Sequence, residues 1–504
     1  MQIGDFIESI DKLSTGRKIS KIVWGASGLY HDAALCIIKD NKLVFASSSE
    51  RYSRIKNDPY FNTSIVQDAL CFGYPDKIVW YETPWKKTVR NFICDGKVAY
   101  KSAKNHFASF NITSKIEYVS HHLSHLASAL YTCPFDTQQS LGLVVDSVGE
   151  FDSLTVWDIK NKNNIKKLYT QYYPNSLGIF YSAITDLVGL KPLEEEYILM
   201  GMASYGKTYK YYKIFKNYFF NKGNLIRDCR YGCRELFSSL EIEKNKFDIA
   251  LGAQLVFEEN LCLIVQKFLT KTGYSKIIYG GGCALNCRAN TLLLNLVDNI
   301  WIYPNPGDAG AAVGAALTSC NLVVSPDLML GHDAGVITNI EQITNTLIRQ
   351  KIVGVVNGKA EFGPRALGHR SILADPRDKQ IQNRVNDIKG REQFRPFAPA
   401  VLKEYAEEYF SFKKPLHNYK YMQYLVHCTQ PNLIPAVVHI DGTSRVQVVD
   451  QSNPFLYSVL TQWYKKTGCP VLLNTSLNIK GKPLINNIDD IHEIKDLSII
   501  SVHS

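Results

Sequence analysis

Residues 21–47, KIVWGASGLYHDAALCIIKDNKLVFAS, alternate short apolar runs with polar turns. The pattern predicts a strand, a Gly/Asp turn, a second strand, a tight turn and a third strand. Residues 141–171, LGLVVDSVGEFDSLTVWDIKNKNNIKKLYTQ, carry the same pattern again. The two tight turns, KDNK and KNKNN, are built from the polar residues that hairpin turns favour. Helix and strand patterns follow each hairpin pair; SIVQDALCFGYPDKIVWYE reads as a helix running into a strand. Further on, KIIYGGGCALNCRANTLLLNL reads as strand, glycine loop and helix. IWIYPNPGDAGAAVGAAL reads as strand, Pro/Gly loop and a helix of small residues. Glycine loops let backbone N–H groups approach a phosphate, and a helix N-terminus favours its charge. Neither loop continues into the Gly-Lys-Ser/Thr of a P-loop.

Two copies of a hairpin plus a βα unit predict a duplicated α/β domain on the plan of the actin/hexokinase-like (ASKHA) fold. The turn between the first two strands of each copy would then face a central cleft. After about residue 330 the pattern restarts with the helical HDAGVITNIEQITNTLIRQ and the strand KIVGVVNG. YLVHC, SRVQVVD and PVLLNTS are further strands. A split into residues 1–340 and a smaller α/β unit over 341–504 is therefore expected.

Composition adds bounds. A chain of 504 residues is too long for one core. Hydrophobic content of 45% and charged content of 21% are those of a globular protein. Apolar runs such as LGLVV fall far short of a membrane span. MQIGDFIESIDKLSTGRKIS lacks the apolar core of a signal peptide, so a cytoplasmic protein without membrane partners is expected. Twelve cysteines are scattered. The CxxxC pairs Cys229/Cys233 and Cys283/Cys287 lack the second pair a zinc site needs, so reduced thiols are expected. The net charge of +10 fits either an anionic partner or a solubilising surface.

Candidate chemistry starts at VSHHLSHLASAL. With Ser120 as N-cap, helical spacing puts His121 and His125 on one face, with His122 elsewhere. Such a pair suits a metal, completed by Asp146 and Asp308, and equally suits a polar helix start. GLYHDAA places His31 and Asp32 in the first cleft-facing turn, where a histidine serves as a base or is satisfied locally. ERYSRIKND contains Lys56, within reach of an anion or on a solvated face. Arg365, Arg370, Arg377, Arg384, Lys389, Arg391 and Arg395 lie among glycines and prolines, a setting suited to gripping phosphate. Arg445, Asn474, Thr475 and Ser476 add donors at strand ends.

The ordered motifs YHDAA, ERYSRIKND, HHLSHLASA, VVDSVGE, LMGMASYG, GGCALNC, PGDAGAAVGAAL, GPRALGHRSILADPR, IKGREQFRPFAP and PVLLNTSLN span nearly the whole chain. In these the chain resembles the NodU/CmcH-type O-carbamoyltransferases. The resemblance implies an actin-like N-terminal domain and a C-terminal domain akin to threonylcarbamoyl-adenylate synthase. It implies that carbamoyl phosphate and ATP, with Mg2+, give carbamoyl-adenylate. Arg365, Lys389, Arg395, Arg445 and Ser476 would hold the carbamoyl phosphate and Asn474 the ATP. His31 would position the carbamoyl group and assist deprotonation of the acceptor hydroxyl, and Lys56 would contact the intermediate. Iron(II) or a similar divalent metal would sit on His121, His125 and Asp308 beside Asp146, and Gly280, Gly281 and Gly282 would lie along the nucleotide. A homodimer is a further expectation.

The chain departs from the family at Ser49-Glu50-Arg51, at LNTSLN and in the twenty or so residues before the first strand. These leave the acceptor open. A sugar or antibiotic hydroxyl is the family's usual acceptor; the positive charge points instead to an anionic one, such as a hydroxymethylated nucleotide or DNA base. A tRNA-modifying enzyme of the threonylcarbamoyl type and a non-catalytic nucleotide- or nucleic-acid-binding protein are the alternatives.

Overall fold

The computed structural model describes residues 21–502 apart from 97, 99, 222–223, 226–227 and 230–232. The expectations about the first twenty residues lie outside it.

Strands β1 (Ile22–Ser27), β2 (Ala34–Lys39), β3 (Lys42–Ser48), β4 (Lys77–Trp80) and β5 (Lys115–Tyr118) form one sheet in the order β3-β2-β1-β4-β5. The hairpin strands pair antiparallel, while β4 and β5 join in parallel. Helix α1 (His121–Leu130) follows. A second sheet contains β6 (Ser140–Gly149), β7 (Asp152–Asn161), β8 (Asn164–Tyr172), β9 (Lys276–Gly280) and β10 (Asn299–Ile302) in the order β8-β7-β6-β9-β10. Pairing directions repeat as well: antiparallel on the hairpin side, parallel beyond β6. The two sheets thus share one topology, as the repeated hydrophobic pattern predicts.

Helices α2 (Leu177–Leu187) and α3 (Ser239–Thr272) lie in the insertion between β8 and β9 and pack against β6. Helix α4 (Asp308–Cys320) follows β10 but packs on β1, β2 and β4 of the first sheet. Helix α1 packs on β6 and β9 of the second, and α1 and α4 pack on each other. The result is a sheet–helix–helix–sheet stack. The sequence DAGAAVGAALTSC permits it, because small side chains let α4 approach closely on two sides. A Cβ on Gly314 would lie 1.8 Å from the Ser124 carbonyl oxygen.

The C-terminal sheet is built from β11 (Ile352–Val356), β12 (Arg370–Ala374), β13 (Ala398–Leu402), β14 (Gln447–Val449), β15 (Val471–Ser476) and β16 (Ile499–Ile500). Its order is β14-β13-β15-β12-β11-β16. The two-residue strand β16 is missing from the strand pattern read in the sequence, because pairing rather than periodicity defines it, while β14 falls within the expected strand SRVQVVD. Residues 329–333 pair with 359–361, so a small ladder spans the expected boundary. Among the described residues no helix is long and apolar enough to cross a membrane. The twelve cysteines are free thiols.

Candidate active site

Helix α1 begins where Ser120 is extended, but the Ser120 hydroxyl makes no capping bond. Its carbonyl instead accepts from the Ser124 N–H at 2.9 Å. One helical turn separates His121 and His125, both buried, with Nε2 atoms 3.0 Å apart. His122 turns away and shares a hydrogen bond with the Thr155 hydroxyl at 2.9 Å. Asp146, late in β6, brings Oδ2 to 3.2 Å from His121 Nε2 and 3.1 Å from His125 Nε2. Asp308 opens α4, and its Oδ1 is 3.5 and 3.3 Å from the same two nitrogens. The four ligand atoms lie within 4.8 Å of one another.

Proton positions follow from the outer contacts. His125 Nδ1 is 2.9 Å from the Pro306 carbonyl oxygen, which only accepts, so Nδ1 carries the proton and Nε2 presents its lone pair. That lone pair meets two carboxylates and a second imidazole, an arrangement that repels unless a cation or proton fills it. Burial opposes a proton on His121, but Asp308, Asp146 and Glu82 outweigh it and lift its pKa to about 10. Two imidazoles and two carboxylates fit a divalent transition metal.

A second group of polar residues comes from the C-terminal half. Arg365 forms no hydrogen bond or ion pair among the described residues, and Arg445 leaves Nε buried and unpaired. Burial, then the Arg445 charge, lowers the Arg365 pKa to about 9. Lys389 is buried and donates to the Asn478 carbonyl at 2.9 Å, to Asn478 Oδ1 at 2.8 Å and to the Ser476 carbonyl. Burial and the charges of Arg391 and Arg395 push its pKa well below the usual lysine range. Arg391 lies over the Phe397 ring, 4.3 Å from its centroid. Among the described residues only Arg395 of these cations pairs with a carboxylate, Glu392 at 3.6 Å, so the group forms a ready anion site. Asn474 donates to Gln447 Oε1 at 2.7 Å and leaves its own Oδ1 unpaired.

One cavity of about 670 Å³ touches both groups. Asp146 and Asp308 line it on one side; Arg365, Lys389, Arg391, Arg395, Arg445, Asn474 and Ser476 line it on the other. Both hairpin turns of the duplication reach it, through His31 and Asp32 and through Ser147 and Val148. His31 Nδ1 is 3.0 Å from Asp32 Oδ2, and its Nε2 is buried without a partner. Burial works against a proton on His31, but Asp32 first, then Asp308 and Asp146, raise its pKa to about 9. Lys56 also lines the cavity, with Nζ 5.1 Å from the Tyr197 ring centroid. Arg395 approaches the same ring at 4.9 Å.

Several expectations are corrected. Of the Gly280–Gly282 loop only Gly282 lines the cavity. Gly280 abuts the His125 carbonyl, and Gly281, with φ +94°, abuts that of Val145, so both serve packing. Arg370, Arg377 and Arg384 do not line the cavity either. Arg370 is buried and donates to five carbonyls, those of Asn486, Asn357, His369, His332 and Gly358. Arg377 is paired with Asp375 at 2.7 Å, and Arg384 bonds the Gln350 carbonyl. The run ERYSRIKND is no solvated face. Arg51 donates to the Gly363 carbonyl at 2.7 Å, and Arg54 pairs with Glu493 at 2.8 Å, both across to the C-terminal half. Sequence reasoning missed Glu82 and Tyr197; each is a single residue after a strand or loop, with no spacing signal.

Comparison with known proteins gives two family matches: Carbamoyltransferase N-terminus over residues 91–317 and Carbamoyltransferase C-terminus over residues 344–502. The nodulation protein NolNO of Sinorhizobium fredii is 30% identical, across 91% of this chain and 76% of that protein. An uncharacterized protein of Synechocystis is 30% identical, across 93% of each. The 3'-hydroxymethylcephem-O-carbamoyltransferase of Amycolatopsis lactamdurans is 27% identical, across 92% of this chain and 94% of that enzyme. Among solved structures, full-length HypF in a phosphate- and nucleotide-bound form aligns with a TM-score of 0.40 and 13% identity, over 61% of this chain and 56% of that one. That likeness is too distant to bear on mechanism.

Proposed function

Since the chain belongs to the carbamoyltransferase family, we propose that it is an ATP-dependent O-carbamoyltransferase working in two steps within one cavity. The observation carrying this reading is the shared lining: Asp146 and Asp308 of the four-ligand cluster and the cations of the C-terminal half border the same cavity of about 670 Å³.

In the first step, water cleaves carbamoyl phosphate to carbamate and inorganic phosphate, and a carbamate oxygen then attacks the α-phosphorus of ATP. Pyrophosphate leaves and carbamoyl-adenylate remains. Arg365, Lys389, Arg395, Arg445 and Ser476 hold the phosphate oxygens, and the free Asn474 Oδ1 meets a donor of ATP, which enters with Mg2+. In the second step the acceptor hydroxyl oxygen attacks the carbamoyl carbon and AMP leaves. The proton passes to His31 Nε2, whose Nδ1–H is held by Asp32. Lys56 contacts the adenylate. His121, His125, Asp146 and Asp308 would hold a divalent cation, iron(II) on the family resemblance, which would supply positive charge to stabilise the leaving phosphate. The two hairpin turns at the cavity, and the identical strand orders behind them, support the actin/hexokinase-like reading of the N-terminal half.

The acceptor we favour is anionic, a hydroxymethylated nucleotide or DNA base. The +10 net charge and the excess of Lys and Arg over Asp and Glu in the cavity lining support it. The test of the first step is pyrophosphate release from ATP that depends on carbamoyl phosphate. No such release from metal-loaded protein would refute the reading. The test of the acceptor is a mass gain of one carbamoyl on nucleic acid carrying hydroxymethylated bases. Absence of the gain, with carbamoylation of a sugar hydroxyl instead, would move the acceptor to the sugar class.

A further inference from the structure

Each ligand of the His/Asp cluster rests on a group outside it. His125 rests on the Pro306 carbonyl, and Asp146 Oδ1 accepts from the Ser147 N–H at 2.7 Å. The other two are served by consecutive residues just past β4. The Tyr81 hydroxyl lies 3.5 Å from Asp308 Oδ2, to which it donates. Glu82 Oε2 lies 3.7 Å from His121 Nδ1, a buried nitrogen with no hydrogen-bond partner of its own. Tyr81 and Glu82 are fully buried. Glu82 is paired in turn with buried Lys87, whose Nζ is 3.1 and 3.4 Å from its two oxygens. Lys87 Nζ also sits 3.6 Å over the ring of Tyr30, the neighbour of His31.

Burying an ion pair costs desolvation that mutual attraction rarely exceeds, so stability is a weak reason for Glu82 and Lys87 to be inside. Their position offers a better one. A metal-ligating histidine needs an acceptor on its other ring nitrogen to fix its tautomer and aim its lone pair. Charge also balances. Asp146 and Asp308 match a divalent cation, and Lys87 cancels Glu82, so the acceptor is provided with no added net charge.

We infer that Glu82, held by Lys87, is the positioning residue of His121: it keeps the proton on Nδ1 and leaves Nε2 to the metal, while Tyr81 orients Asp308. The inference rests on the metal reading of the cluster. Through Tyr30, the same lysine ties the metal's surroundings to the loop that carries His31.

The test is Co2+ titration of chelator-stripped protein, followed by the visible absorption of the bound ion. Glu82→Gln is expected to weaken binding about 10- to 100-fold and to shift the spectrum. Tyr81→Phe is expected to weaken it less. Glu82→Gln leaves a buried amine without its partner, so the double variant Glu82→Gln/Lys87→Met is measured too. It is expected to bind Co2+ as weakly as the single variant while melting normally. Wild-type affinity and spectrum in both variants would overturn the inference. Failure of wild-type protein to bind Co2+ more tightly than His125→Ala would instead overturn the metal reading beneath it.

Discussion

Gly314→Ala is the sharpest test of how the site is assembled. Gly314 lies mid-way along α4, facing α1. An added Cβ would sit 1.8 Å from the Ser124 carbonyl oxygen and 2.6 Å from the Ser128 nitrogen. A carbon and a carbonyl oxygen approach no closer than about 3.3 Å, so the helices must part by about 1.5 Å to relieve the 1.8 Å approach an added Cβ would make. That shift is spread along the two helices that carry the ligands, Asp308 at the start of α4 and His121 and His125 at the start of α1. Metal sites tolerate only about 0.2 Å in ligand distance. The expected result is a loss of about 1–3 kcal/mol in stability from overpacking, with much weaker metal binding and transfer. Pyrophosphate release in the C-terminal half should be little changed. The sign is diagnostic, because helix propensity alone would make this change stabilising by about 0.4–1 kcal/mol. A thermal melt and a metal titration suffice. A variant with raised Tm and wild-type metal affinity would refute the packing argument.

The remaining predictions address the chemistry. His125→Ala should abolish metal binding and carbamoyl transfer while adenylate formation persists; equal loss of both steps would contradict the two-step assignment. His31, with its pKa raised to about 9, can accept a proton only when deprotonated, so transfer under single-turnover conditions should rise with pH through that value. His31→Asn should remove this rise, and an unchanged pH profile would exclude His31 as the base. Arg365→Met removes a half-buried cation that is unpaired among the described residues. Carbamoyl-phosphate turnover should fall about 30-fold or more, the cost of about 2 kcal/mol for such a contact, while Tm stays level or increases. A lower Tm with intact turnover would make Arg365 structural.

Much of the N-terminal architecture was legible in the chain. The repeated alternation over residues 21–47 and 141–171 specifies two hairpin pairs, and both sheets order their strands alike. Alternation is a local property, so the amino-acid order displays it directly. The i, i+4 spacing of His121 and His125 was legible for the same reason. Short strands such as β16 were not, because only pairing with β11 defines them.

The arginines mark the limit. Spacing among glycines made Arg365, Arg370 and Arg377 look alike. Arg370 is consumed by backbone carbonyls, Arg377 by Asp375, and Arg365 alone of the three is left for a ligand. Such satisfaction depends on partners distant in sequence, and no local pattern records it. The sequence by itself determined the duplicated hairpins, the histidine pair and the supply of cations. Only the tertiary structure decided that Asp146 and Asp308 meet those histidines, that Glu82 backs one of them, and which cations face the cavity. Secondary structure follows from neighbours along the chain, whereas a site forms where close helix packing, at Gly314 above all, brings remote side chains within a few ångströms.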